Sequence, residues 1–375
     1  MALVGVRPKA APLEDWLRDY YFTAEIDISS SGVSSYSMAE LRAMTGVGHD
    51  EIDTLMFDDG YSLGAPAVRS AVAGHWGEAD PERVMTTSGS GEAISLVLMA
   101  LLEPGDEVVA VQPGYHLLVE FAAGLGCTVR TWRLDPGRDW QPSLDELAQL
   151  VTERTKAIIV NFPQNPTGVS ITVAEQTRLV EIADGVGAHV LWDAAFAPLT
   201  YDTEPLPPVS SRYGRGVSFG TFSKAFGLPG LRFGWCVGPR ELLTECVRIR
   251  DYTTLHVSPL VELLALGVLK NADAFIEPRL KRARTNRDLL RAWADAHPEQ
   301  VSLVPPTGGV AAFPRLLPFT ETDAFCEELF QTCGVLVIPG SCFGAPGHVR
   351  IGFGGPTDPL TEGLERLTRA LARRR

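Results

Sequence analysis

The sequence predicts an α/β fold: a large domain with a mostly parallel sheet flanked by helices, joined to a smaller α+β domain. First, short apolar runs alternate with segments of helical length between residues 83 and 237, which is typical of a parallel sheet covered on both faces. Second, a chain of 375 residues exceeds one typical domain. Third, small and polar residues follow several of the apolar runs, at the sheet edge where ligands bind in such folds.

The alternation of apolar runs with segments of helical length predicts the following helices and strands, in chain order. One short helix is predicted within residues 1–22, and further helices over 67–76, 94–102, 143–151, 173–186, 240–250, 259–297 and 323–331. Short apolar runs predict strands over 26–33, 83–87, 107–111, 128–132, 156–162, 189–192, 217–222, 231–237, 301–304, 308–313, 335–339 and 348–353. We expect residues 1–35 to form an N-terminal arm and part of a small domain, 36–262 the large domain, and 263–375 the rest of the small domain.

Composition excludes several classes of partner. The chain has 33 basic and 46 acidic residues, for a net charge of -13, which argues against binding to nucleic acid or an anionic membrane. Its six cysteines include no CxxC pair, so we expect reduced core thiols and no metal site. The first 17 residues lack the apolar core of a signal peptide, and no run reaches membrane-helix length. We expect a soluble, cytoplasmic protein.

The segment 217–235, with the sequence VSFGTFSKAFGLPGLRFGW, contains the main candidate for chemistry. Lys224 lies between two apolar runs, where desolvation lowers the pKa of an amine and makes it a nucleophile. This suits a Schiff base with an aldehyde cofactor, with Arg232 holding a phosphate nearby. The alternative is a strand-end lysine and a strand arginine in structural ion pairs.

This segment resembles the lysine segment of the class I/II aminotransferases, which are pyridoxal 5'-phosphate (PLP) enzymes of fold type I, and the resemblance extends from about residue 29 to 353. It implies that Lys224 is the catalytic residue that binds PLP, and that the phosphate is held by Thr221, Ser223 and Arg232. The SGSGEA sequence that begins at Ser88 supplies Gly89, Ser90 and Gly91, whose backbone N–H groups at a helix start also suit a phosphate.

Four further residues would contact the cofactor ring. The resemblance implies that Tyr115 stacks on the pyridine face and that Asn165, in an Asn-Pro-Thr-Gly context, donates to the phenolic oxygen. Asp193 follows an apolar strand, and its buried carboxylate would pair with the protonated pyridine nitrogen; the alternative is a helix-capping aspartate. Phe196 stands where the family usually has a tyrosine, so one donor to the phenolic oxygen is missing.

The substrate and the assembly follow from the same resemblance. Arg350 would clamp the α-carboxylate of an amino-acid substrate in a bidentate way, helped by Ser30, Gly32 and Asn165; the alternatives are a surface ion pair and a plain Ser/Gly loop. Tyr61 would reach the cofactor phosphate of a second subunit, which implies a homodimer with shared sites. The alternative is a tyrosine that stacks before a helix.

A finer resemblance concerns the segments 12–18, 27–33, 39–42 and 55–60, which look like those of the capreomycidine synthase group and a related streptolidine-forming cyclase. It implies a cyclase of hydroxylated L-arginine in antibiotic biosynthesis, which removes the Cα proton, eliminates water and adds a guanidine nitrogen to form a ring. Asp27, Asp58 and Asp59 are candidates for binding the guanidinium. The alternative is an aminotransferase that uses an amino acid and a 2-oxo acid. A PLP-binding regulatory domain, which normally has an N-terminal DNA-binding helix-turn-helix, is disfavoured because the fold begins within the first thirty residues and the chain is acidic.

Overall fold

A computed structural model of the chain describes residues 9–76 and 80–373. Residues 1–8 of the predicted N-terminal arm lie outside the described residues. The α-helices are α1 (Pro12–Tyr20), α2 (Met38–Thr45), α3 (His49–Asp53), α4 (Pro66–His75), α5 (Ser90–Leu101), α6 (His116–Gly124), α7 (Leu144–Leu150), α8 (Val173–Asp184), α9 (Val209–Arg212), α10 (Arg240–Arg250), α11 (Pro259–Lys270), α12 (Ala272–Asp295), α13 (Asp323–Cys333) and α14 (Thr357–Ala372).

The strands form one large sheet and three small ones. They are β1 (Ile26–Asp27), β2 (Val84–Thr87), β3 (Glu107–Gln112), β4 (Thr128–Arg133), β5 (Thr155–Asn161), β6 (His189–Asp193), β7 (Gly216–Thr221), β8 (Gly234–Val237), β9 (Val301–Ser302), β10 (Ala311–Ala312), β11 (Arg315–Leu316), β12 (Val335–Leu336), β13 (Ile338–Pro339) and β14 (Val349–Gly352). The large sheet has the order β2-β8-β7-β6-β5-β3-β4, and β8 runs antiparallel to both of its neighbours. The predicted mostly parallel α/β fold is confirmed.

The central strands are apolar throughout because both faces of the sheet are covered. In β3, Val109 packs in the core under α7 and α8, and Val108 packs in the core under α5, α6 and α10. Ile158 and Ile159 of β5 divide between the same two cores. Alternation of side chains along a strand therefore builds both layers, and the carboxyl ends of the strands remain free for polar residues.

The C-terminal sheets and the start of the chain are interleaved. β1 pairs in parallel with β12, and β14 is the central strand of the small sheet β10-β14-β13. The Gly352 N–H donates to the Ile28 carbonyl at 2.8 Å, which places the segment after β1 beside β14. An added Cβ at Gly352 would lie 1.7 Å from the Ser30 oxygen, so this contact requires glycine.

Several predicted strands are shorter than expected. The strand predicted over 26–33 is wrong beyond Asp27, because the Asp27 side chain accepts a hydrogen bond from the Ser29 N–H at 2.7 Å and turns the chain. The strand predicted from residue 231 begins only at Gly234, since a 3₁₀ turn and a left-handed Arg232 (φ 52°) precede it. The strands predicted over 301–304 and 308–313 shorten to two residues each. None of the described helices is long and apolar enough to cross a membrane.

Replacing Gly234 with alanine is expected to lower the free energy of unfolding by about 1–3 kcal/mol, as overpacking substitutions do. The new Cβ would lie 2.5 Å from both the Gly89 carbonyl carbon and the Ser90 nitrogen, backbone atoms at the start of α5. Equilibrium denaturant unfolding measures the change. Gly230→Ala is the matched control, because a Cβ there meets nothing within 4 Å. Equal stability of the two variants would contradict this account.

Candidate active site

A cavity of about 360 Å³ opens at the carboxyl ends of β5, β6 and β7, between the large sheet and the C-terminal sheets. The structure brings most of the predicted site residues together in its lining. These are Ser30, Gly32, Ser90, Gly91, Tyr115, Asn165, Asp193, Phe196, Thr221, Ser223, Lys224, Arg232 and Arg350.

Lys224 lies in the turn after β7, and its side chain enters the cavity rather than bulk solvent. Its Nζ donates to Ser31 Oγ at 2.9 Å, and it lies 5.9 Å from the centroid of the Phe196 ring. Desolvation, together with the positive charge of Arg350, lowers the pKa of the Lys224 amine to about 8. An amine with this pKa is neutral in part near neutral pH, as a nucleophile or base requires. Ser31 was not singled out in the sequence.

Asp193 ends β6 and is buried at the base of the cavity. Burial raises the pKa of its carboxyl to about 6, against the opposing effects of the Ala195 N–H and of Lys224. The Ala195 N–H donates to Oδ1 at 3.0 Å. A buried carboxylate that lacks a strong cationic contact is well suited to a protonated pyridine nitrogen.

Arg350 and Asn165 are neighbours in the lining of the cavity and are hydrogen-bonded to each other. The Arg350 Nε and Nη2 groups donate to the Ser29 carbonyl at 3.1 and 2.9 Å, and Nη1 donates to Asn165 Oδ1 at 3.3 Å. These contacts fix the guanidinium plane and use three of its five N–H donors. Burial lowers the pKa of Arg350 to about 10. Because the Asn165 oxygen accepts from Arg350, its amide nitrogen is left to donate into the cavity.

A second group of residues, called the phosphate cradle because a phosphate would fit it, lies at the start of α5. Arg232 Nη1 donates to Ser223 Oγ at 3.3 Å, and Thr221 Oγ1 donates to the same oxygen at 3.1 Å. Gly89 has φ 86°, and a Cβ there would lie 2.6 Å from Arg232 Nη2. Gly89 therefore lies against the guanidinium, although it does not line the cavity itself. Backbone N–H groups at the start of a 12-residue helix, with an arginine and two hydroxyls, fit a phosphate.

Helix α1 covers one side of the cavity. Glu14 lines it together with Leu13, Leu17 and Tyr21. The Tyr115 hydroxyl donates to Glu14 Oε1 at 3.3 Å, and burial raises the pKa of the Tyr115 phenol. Glu14 was not singled out from the sequence, where its signal was an acidic residue between Leu13 and Leu17 on a short N-terminal helix.

Some predicted residues lie elsewhere in this single chain. Tyr61 is 65% exposed and does not line the cavity. Asp58 is exposed, and Asp59 lies at the surface with its Oδ1 3.5 Å from His256 Nε2. Asp27 holds the turn after β1 and borders a neighbouring cavity. The three carboxylates suggested for a guanidinium are therefore absent from the cavity that contains Lys224.

Comparison with known proteins agrees with this geometry. The family described as aminotransferase class I and II matches residues 60–367. The chain is 47% identical to the capreomycidine synthase of Streptomyces vinaceus over 373 residues, which covers 98% of this chain and 96% of that protein. It is 30% identical to the aspartate aminotransferase of Thermotoga maritima over 76% of this chain and 75% of that protein.

Two solved structures, a PLP-dependent cyclase and a PLP-dependent aminotransferase, are also similar to this chain. The PLP-dependent cyclase OrfR superposes with a TM-score of 0.93 and 42% identity over the whole of both chains. A PLP-dependent aminotransferase from Streptococcus suis 89-1591 superposes with a TM-score of 0.93 and 30% identity over 98% of each chain. The predicted fold type I is confirmed by these likenesses, and the phosphate cradle and the buried Asp193 fit the cofactor of this fold. The chain belongs to the class I and II aminotransferase family and is a PLP-dependent enzyme.

Proposed function

We propose that this enzyme is a cyclase of β-hydroxylated L-arginine that forms a cyclic guanidino amino acid of the capreomycidine or streptolidine type in antibiotic biosynthesis. The observation that carries the proposal is the 47% identity to a capreomycidine synthase along nearly the whole chain. The aspartate aminotransferase of Thermotoga maritima is, by comparison, 30% identical over 76% of this chain. The cavity supports chemistry at an amino-acid Cα, and the likeness favours cyclisation as its outcome.

In this proposal, separate groups of cavity residues bind the cofactor and the substrate. Bound PLP supplies an electron sink for negative charge that develops at the substrate Cα. Thr221, Ser223 and Arg232 would hold its phosphate, and Asp193 its pyridine nitrogen. Arg350 would bind the substrate α-carboxylate and so fix Cα within reach of Lys224.

The reaction balances without a second substrate. Lys224 Nζ takes the proton from Cα, and the β-hydroxyl accepts a proton and leaves as water, so that a Cα–Cβ double bond forms. A guanidine nitrogen then adds to Cβ and releases a proton, which replaces the one carried off in the water. Lys224 returns a proton to Cα. The net change is the loss of one water, and the α-amino nitrogen is retained throughout. An amine with a pKa of about 8 can act as both the base and the acid in this sequence.

The substitution of the usual tyrosine by Phe196 is consistent with this proposal. Phe196 has no hydroxyl to offer the cofactor's phenolic oxygen, so Asn165 would act there without that second donor. The Phe196 ring instead lies against Gly309, where an added Cβ would be 3.6 Å from the ring, and near the Lys224 amine. The missing hydroxyl donor is a departure from the aminotransferase pattern and argues against routine transamination. An aminotransferase that consumes a 2-oxo acid is the second candidate, supported by the family match.

We also propose a homodimer with shared active sites. Large apolar side chains are exposed in two segments, at Met56, Phe57 and Tyr61 and at Tyr252 and Leu255. The two segments meet where Asp59 Oδ1 lies 3.5 Å from His256 Nε2, and exposed apolar side chains grouped in this way mark protein–protein contacts. In such a dimer Tyr61 would reach the phosphate held by Arg232 of the partner subunit.

The Tyr61→Phe variant is expected to retain PLP about 10- to 100-fold less tightly than the wild type, because a charge-assisted hydrogen bond to phosphate is lost. Cofactor absorbance after dialysis measures retention, and analytical ultracentrifugation gives the oligomeric state. Tyr213→Phe is the control, since the Tyr213 hydroxyl donates to the Ala188 carbonyl, remote from the cavity. A fully active monomeric wild type would rule out the shared site.

The cyclase proposal is tested by incubating the holoenzyme with β-hydroxyarginine and no 2-oxo acid. Mass spectrometry should detect a product that has lost one water and kept all nitrogen atoms. In deuterated water the product should also contain deuterium at Cα, because Cα is reprotonated there. If turnover requires a 2-oxo acid and transfers the amino group to it, the cyclase proposal is wrong and the enzyme is an aminotransferase.

A further inference from the structure

Glu14 is held at the cavity by a firmly docked helix. Leu13 beside it is 4% exposed and packs in one of the two cores of the large sheet. On the same helix, Trp16 Nε1 donates to the Val337 carbonyl at 3.0 Å, although these residues are 321 positions apart. The Glu14 carboxylate is therefore fixed by tertiary contacts, and its orientation toward the cavity is a property of the fold.

Glu14 forms no direct ion pair with a described residue, although its charge acts on the Lys224 amine and on the Arg350 guanidinium. Two carboxylates line the cavity, Glu14 and Asp193, and Asp193 at the base is the one that fits the pyridine nitrogen. Among the described residues, no lysine, arginine or histidine nitrogen lies within 4.0 Å of the Glu14 carboxylate, whose hydrogen-bond donor there is the neutral Tyr115 hydroxyl. Partly buried carboxylates are normally paired with a cation. A cationic ligand would supply that partner.

We propose that Glu14 binds the guanidinium group of the substrate and is the residue that selects an arginine-type side chain. This inference rests on the function proposed above and deepens it. The two oxygens of a carboxylate match two parallel N–H groups of a guanidinium, a bidentate contact of high specificity. Leu13 and Leu17, which line the cavity beside Glu14, would contact the methylene groups of the side chain.

At this position the Glu14 carboxylate would also disfavour substrates with an acidic side chain. A substrate whose α-carboxylate lies on Arg350 and whose side chain carries a second carboxylate, such as aspartate, would bring like charges together on the α1 side of the cavity. Tyr115 is a positioning residue in this arrangement. Its hydroxyl holds one Glu14 oxygen, while its ring remains beside the site proposed for the cofactor.

Binding of L-arginine and L-citrulline to the holoenzyme tests the proposal. The two amino acids have nearly the same shape, but citrulline has a neutral urea group in place of the guanidinium. Isothermal titration calorimetry should give a lower Kd for L-arginine in the wild type. Glu14→Gln should raise the L-arginine Kd about tenfold or more, as expected for loss of a charge-assisted contact. Its Kd for L-citrulline should change by less than about twofold.

Asp15→Asn is the matched control on the same helix, because the Asp15 side chain is exposed and paired with Arg18. It should leave both Kd values and the PLP content unchanged. Equal PLP content in Glu14→Gln and the wild type shows that the variant is folded. An unchanged L-arginine Kd in Glu14→Gln would overturn the proposal. Failure of the cyclase proposal can be told apart from failure of the Glu14 proposal. If only the cyclase proposal is wrong, the Glu14-dependent preference for L-arginine persists, but β-hydroxyarginine is not cyclised.

Discussion

The burial of the Lys224 amine in a cavity that is also lined by a buried carboxylate, Asp193, and a buried guanidinium, Arg350, is the constraint on which the site depends. The ends of β6 and β7 supply Asp193 and the turn that contains Lys224, and β14 supplies Arg350 from a different sheet. Desolvation and Arg350 lower the pKa of the amine, while Asp193 raises it, so that it settles near 8. A displacement of any one of these strands would change the pKa of the Lys224 amine and therefore the fraction of it that is neutral near neutral pH.

The start of the chain is what connects the two parts of the site. β1 belongs to a sheet with β12, so the segment that follows it runs between the C-terminal sheets and the large sheet. There the Ser29 carbonyl accepts from Arg350 and Ser31 Oγ accepts from Lys224. The N-terminal helix adds Glu14 on the outer side. Residues near both ends of the sequence therefore line the part of the cavity proposed for the substrate, whereas residues from the middle line the part proposed for the cofactor.

Residue type and local pattern predicted the sheet, and the resemblance to the aminotransferases pointed to most of the residues that line the cavity. Asp193 and Lys224 each follow an apolar run, and a polar residue in that position points to the ligand edge of a parallel sheet. Ser31 and Glu14 could not be found in this way, because their roles depend on contacts between residues about 100 to 190 positions apart. Helix α6 was not predicted, because it is a short apolar segment whose periodicity does not distinguish a helix from a strand. Helix α14 was not predicted, although its leucines recur at helical spacing.

Borohydride reduction of the purified holoenzyme, followed by peptide mass mapping, tests the role of Lys224 most directly. We predict a reduced phosphopyridoxyl group on Lys224 and none on the other lysines, which are Lys9, Lys156, Lys270 and Lys281. Lys224→Ala should still bind PLP through the phosphate cradle but should form no reducible bond. A phosphopyridoxyl group on a different lysine, or a wild-type protein that takes up no PLP, would contradict the account.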